Sequence, residues 1–115
     1  AESLYGEDGA DTLSGGADDD VLEGGDGDDS VVGANGDDTI SGDDGADDLD
    51  GGNGADEISG GNGDDTLVGG EGDDSLSGGN ETDELNGGNG DDTLDAGNAD
   101  SASDTEVVNG GAGDD

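Results

Sequence analysis

The chain has 115 residues, 36 of them Asp or Glu and none Lys, Arg or His, for a formal net charge of −36. That balance excludes nucleic-acid binding, which needs basic residues against phosphate, and attraction to anionic membrane surfaces. With 23% hydrophobic residues, one Tyr, 29 Gly and no Phe, Trp, Met, Cys or Pro, a conventional globular core is out of reach, and no apolar run is long enough for membrane insertion.

In chain order, Ala1–Tyr5 reads as the closing segment of a repeat, with Leu4 at its aliphatic position. From Gly6 to Asp95 the chain is ten nonapeptides in unbroken register, with the consensus G-G-x-G-x-D-x-U-x, U being aliphatic. The Asp positions are Asp11, Asp20, Asp29, Asp38, Asp47, Asp56, Asp65, Asp74, Asp83 and Asp92. Two residues after each comes Leu13, Leu22, Val31, Ile40, Leu49, Ile58, Leu67, Leu76, Leu85 or Leu94. Glycine at the first, second and fourth positions reads as permission for positive φ and tight turning. The last three residues of a repeat, such as Thr66-Leu67-Val68, alternate outward, inward, outward as a strand does. Each repeat is therefore expected to be a six-residue turn and a minimal strand, which must pair with copies of itself.

Departures cluster at a few positions. Asp18 and Glu81 replace the fourth-position glycine, and the site near Glu81 and Thr82 is the weakest match. Asn80-Glu81-Thr82 is the only glycosylation sequon; it reads as drift in a repeat rich in Asn and Thr, with a glycan on an exposed turn as the alternative. The fifth-position acids Asp19, Asp28, Asp37, Asp64, Asp73 and Asp91 read as a solvated face that keeps the protein soluble, with weak outer cation binding as the alternative.

After Asp95 the register breaks, and residues 96–109 read as an irregular insertion. One parsing is a shortened repeat, Ala96 to Ser103, that keeps Asp100 as a ligand, followed by a longer strand around Val107-Val108. A five-residue bulge fits equally well. Glu106 and Asp104 are expected to be solvated loop residues, with cation ligation as the alternative. Gly110–Asp115 reads as the start of a further repeat, ending at the Asp position. The whole, 1–115, reads as a single domain.

Low hydrophobicity with high charge normally means disorder. Ten aliphatics cannot offset the entropy of ordering so glycine-rich a backbone. A cation must supply the difference, and the sequence contains none of its own. Calcium is a hard ion that takes six to eight oxygens; a glycine-rich turn offers carbonyls and the Asp adds a carboxylate. One turn is too small a donor set, whereas two stacked turns suffice.

The repeated motif resembles that of the repeats-in-toxin (RTX, haemolysin-type) calcium-binding nonapeptide family, for which this consensus is the established signature. The resemblance implies an all-β fold: a right-handed parallel β-roll solenoid with two repeats per coil and calcium between stacked turns. It also implies pairing of each Asp with the one two repeats on, from Asp11 with Asp29 to Asp65 with Asp83, and from Asp20 with Asp38 to Asp74 with Asp92. About eight calcium ions or more would then bind, with Asp115 at the matching place in the last partial repeat.

The functional expectation is an extracellular calcium-binding structural protein, secreted or on the cell surface. It would fold on binding calcium and self-associate end to end as matrix filaments, or form an adhesin stalk. The head-to-tail idea rests on the complementary partial repeats at Ala1–Tyr5 and Gly110–Asp115. The alternative is a calcium-triggered folding or secretion module of a larger secreted enzyme or toxin. The chain itself reads as no enzyme, since it lacks His, Cys, Lys and Arg and paired carboxylates alone would need a substrate cleft.

Overall fold

The computed structural model describes residues 1–98 and 106–115. A six-residue strand recurs at the period of the sequence. The strands are β1 (Ser3–Asp8), β2 (Thr12–Ala17), β3 (Val21–Asp26), β4 (Ser30–Asn35), β5 (Thr39–Asp44), β6 (Asp48–Asn53), β7 (Glu57–Asn62), β8 (Thr66–Glu71), β9 (Ser75–Asn80), β10 (Glu84–Asn89), β11 (Thr93–Asn98) and β12 (Val107–Ala112). Odd strands form one six-stranded sheet in the order β1-β3-β5-β7-β9-β11, and even strands form the other. All pairings are parallel and strictly in register: Thr66 lies opposite Glu84 and Leu67 opposite Leu85. Consecutive strands thus alternate between sheets, which makes a β-solenoid with two repeats per coil.

Strand and turn divide the repeat differently from the sequence expectation. The strand takes six residues and the turn three, as in Gly63–Asp65 between β7 and β8. The glycine pair belongs to the strand because it too is matched across the sheet, Gly52 to Gly70 and Gly70 to Gly88. Without side chains these residues let neighbouring backbones lie close.

Glycine also does two different jobs. The second and fourth positions do carry positive φ, as at Gly61 (120°) and Gly63 (131°). First-position glycines such as Gly60 do not, so the expectation of left-handed geometry there is wrong. The reason for glycine at that position is space. A Cβ on Gly15 would stand 2.7 Å from the Asp20 Oδ2 and 3.0 Å from the Gly33 carbonyl of the next coil. Asp18 and Glu81 accept positive φ at the fourth position (73° and 81°), as do Glu7, Ala34 and Asp43 at the second.

The core is one residue deep. Leu13, Val31, Leu49, Leu67 and Leu85 from the even sheet meet Leu22, Ile40, Ile58 and Leu76 from the odd sheet, all buried, with Leu4 and Leu94 packed against their ends. The molecule is accordingly 13 Å across its thinnest dimension. Each strand from β2 to β10 buries its second residue because a parallel ladder stacks like on like, and a nine-residue period keeps that residue facing inward.

The two parsings of the break after β11 fall on residues 99–105, outside the described residues. β12 pairs with β10 in the usual register, but Val107 lies opposite Glu84, 23 residues on where other pairs are 18 apart. Five extra residues have been accommodated without disturbing the sheet. Asp100 and Asp104 lie outside the described residues.

Candidate metal centres

The turn geometry decides where each Asp goes. A ladder Asp ends its three-residue turn, and the next residue begins a strand. Its carbonyl accepts the amide of the residue that starts the strand one coil on, as Asp47 does from Thr66 at 2.8 Å. Its own amide donates to Oδ1 of the Asp one coil on, as Asp56 does to Asp74 at 2.9 Å. This contact joins all the expected pairs: Asp11–Asp29, Asp29–Asp47, Asp47–Asp65 and Asp65–Asp83 in one column. Asp20–Asp38, Asp38–Asp56, Asp56–Asp74 and Asp74–Asp92 form the other. Asp115 extends the second column, accepting the Asp92 amide at 3.3 Å.

The second oxygen is the informative one. Oδ2 of all ten ladder residues, Asp11 to Asp92, is buried and has no hydrogen-bond partner. A buried carboxylate oxygen without a donor is expensive, and stacking ten in two columns compounds the cost through repulsion. The protein has no side-chain cation to offset it. Each Oδ2 faces the bare Cα of its own first-position glycine, beside a carbonyl of the following coil; Asp20 Oδ2 with the Gly33 carbonyl is one case. Hard oxygens therefore converge in a cradle that any Cβ would fill.

Electrostatics record the same burial. Loss of solvent pushes the Asp65 carboxyl up to about 7, with the charges of Asp47 and Asp83 adding to the rise and the Asp47 amide opposing it. Burial likewise takes Asp56 up to about 6, again against the pull of a backbone amide, that of Asp38. Asp38, Asp47, Asp74 and Asp83 are also raised, in each case first by desolvation. The fold thus works against its own ionised carboxylates. Among the described residues no three carboxylates gather about one point. A cation on this ladder has to take most of its remaining oxygens from the backbone.

The fifth-position acids are not simply solvated. Asp19, Asp28, Asp37, Asp64, Asp73 and Asp91 each accept, through Oδ1, a backbone amide from the next coil. Thr82, for example, donates to Asp64 at 3.0 Å. These bonds run opposite in sense to those of the ladder Asp, so adjacent residues of one turn tie the coil in both directions. A third-position ladder lies further out: Asn80 Nδ2 donates to Asn62 Oδ1 at 2.7 Å, and Asn62 donates to Asp44 at 2.6 Å. The side-chain nitrogen of the sequon is engaged in this ladder. The turn with Glu81, expected to be the poorest, keeps the full ladder geometry at Asp83.

Sequence reasoning favoured a solvated loop for Glu106, with cation ligation as the alternative, and the structure does not leave its carboxylate in solvent. Its Oε2 accepts the Asp83 amide at 2.8 Å, in the place where other turns present an Asp. The signal was hidden because Glu106 lies 23 residues beyond Asp83.

Comparison with characterised proteins and with solved structures gave no match. The sequence profile of the RTX calcium-binding nonapeptide repeat, in four copies, matches residues 5–40, 23–58, 41–76 and 59–94. These windows cover most of the chain and the same coils that carry the buried Asp columns. Repeats of this kind bind calcium and are structural rather than catalytic. The chain belongs to the RTX calcium-binding nonapeptide repeat family.

Proposed function

We propose that the two Asp columns hold calcium between successive coils, and that the protein is an extracellular structural element which folds on binding it. The observation that carries this reading is the set of ten buried Oδ2 atoms without partners. A divalent ion between coils supplies the missing charge and draws on the carboxylates and the carbonyls beside the first-position glycines. The ligands are Asp11, Asp20, Asp29, Asp38, Asp47, Asp56, Asp65, Asp74, Asp83 and Asp92, with Asp115 at the end of its column. Eight ladder pairs between Asp11 and Asp92 give about eight ions, and the Asp92–Asp115 contact gives a further place. An interior Asp such as Asp65 serves the sites on both sides of it, so binding is cooperative. Extracellular placement is part of this reading, since sites with dissociation constants of about 0.1–1 mM fill at the calcium levels found outside cells and not at those inside.

Wherever β1 and β12 are outermost, the same geometry supports stacking of copies end to end. Among the described residues β1 pairs only with β3 and β12 only with β10. Three of the five exposed large hydrophobics, Tyr5, Val107 and Val108, lie on these two strands. A second copy in line would set its β1 against β11 and its β2 against β12, a heterologous contact that does not close.

Native mass spectrometry of the full chain and of Asp65→Asn tests the ligand assignment. The unmodified chain is expected to carry about eight calcium ions or more. The variant is expected to need roughly tenfold more calcium to load, as disturbing even an outer partner of a metal costs ~10–100-fold. Unchanged loading of the variant would remove the ladder from the binding site. Electron microscopy with calcium and with chelator tests assembly; monodisperse single rods at high calcium would contradict it.

A further inference from the structure

Glu106 lies outside the nine-residue frame, yet it has the contacts of a ladder residue. Its Oε2 takes the Asp83 amide, and its Oε1 is buried without a hydrogen-bond partner. Asp83, 1% exposed, has an Oδ2 in the same condition. Two donorless acidic oxygens thus belong to residues joined across neighbouring coils. The Ala96 carbonyl is close by, 2.7 Å from where a Cβ on Gly78 would stand and beside the Asp83 Oδ2.

The exchange of Asp for Glu has a local partner. Ala96 occupies the first position of its repeat, where every other described repeat has glycine. Its methyl takes up space that an Asp Oδ2 uses elsewhere, as the Gly15 geometry shows. A side chain one methylene longer still brings its carboxylate to the Asp83 amide.

β12 also has unusual need of such a tie. It contributes no residue to the buried core: Val107 and Val108 are 50% and 51% exposed, although Val108 is in register with the buried Leu85. What holds β12 is backbone pairing and the carboxylates at its end of the two columns.

We propose that Glu106 and Asp83 form a further calcium site, outside the repeat motif, that clamps β12 onto β10. The proposal rests on the reading that the ladder Asp residues hold calcium.

The test compares the full chain, Glu106→Gln and the control Glu84→Gln, an exposed neighbour that loses the same charge. Native mass spectrometry in calcium is expected to show about one ion fewer for Glu106→Gln alone. Amide exchange over Val107–Ala112 should become roughly tenfold faster or more in that variant, with β4 to β8 unaffected. A calcium-loaded Glu106→Gln with the full ion count and a protected β12 would overturn this site while leaving the ladder intact. An unmodified chain that binds no calcium would overturn both.

Discussion

A single ladder Asp divides its work between two oxygens. Oδ1 ties coil to coil through a backbone amide, and Oδ2 is buried without a hydrogen-bond donor. The first-position glycine makes this arrangement possible, and its sign in mutation is diagnostic. Gly60 has no positive φ, so replacement by Ala would ordinarily stabilise by about 0.4–1 kcal/mol through the unfolded state. Here the new Cβ would meet Asp65 Oδ2 and the Gly78 carbonyl. Gly60→Ala is therefore predicted to destabilise the calcium-loaded roll by about 1–3 kcal/mol, measured by denaturant unfolding in calcium. Stabilisation would show that the cradle is not filled. Protons compete for the same oxygens. Asp56 and Asp65 titrate at about 6 and about 7 in the metal-free roll, against 3.8 ordinarily. The folded form therefore binds protons more tightly than the unfolded chain, and its stability falls as pH rises from about 4 through about 7. In chelator, acidification from pH ~7.5 to ~4 should promote the roll, whereas in limiting calcium the ion midpoint should rise as pH drops below ~7. Circular dichroism under both conditions checks this; matching pH trends with and without calcium would contradict it.

At the scale of the strand and turn, the period made the aliphatic and Asp columns legible, because an 18-residue offset leaves no choice of partners for Leu67 or Asp65. It did not show where strand ends and turn begins. Glycine pairs read as turn, yet Gly70 sits within the sheet because its in-register neighbours are also glycines. Nor did it show the task of the fifth-position acids, since an Asp that accepts a neighbouring coil's amide and an Asp in water look the same in sequence. Glu106 was hidden for a related reason: its partner is fixed by the sheet, not by the count of residues from Asp83. The fifth-position role is testable at Asp64. Asp64→Ala and Asp64→Asn both relieve one negative charge, but only Ala removes the acceptor for Thr82. Asp64→Ala is predicted to be less stable than Asp64→Asn by about 0.5–1.5 kcal/mol, with the same number of bound ions in each. Equal stability would return these residues to the solvated surface.

For the molecule as a whole, the core and the ladders make opposite demands. Nine buried aliphatics form a core one residue deep, while two columns of buried carboxylates push the coils apart. Closing the roll without a cation leaves every Oδ2 desolvated and unpaired. With calcium in about hundredfold excess over its dissociation constant, each site adds about 2.7 kcal/mol to the folded state, and shared ligands couple the sites. On the proposed reading folding and binding are one event, and the calcium level around the chain sets whether it is a rod or an open chain. Far-UV circular dichroism of the full chain at neutral pH, begun in excess chelator and titrated with calcium, tests this most directly. The account predicts an unfolded spectrum that converts to β-structure in one cooperative step; a β-rich spectrum in chelator, unchanged as calcium is added, would contradict it.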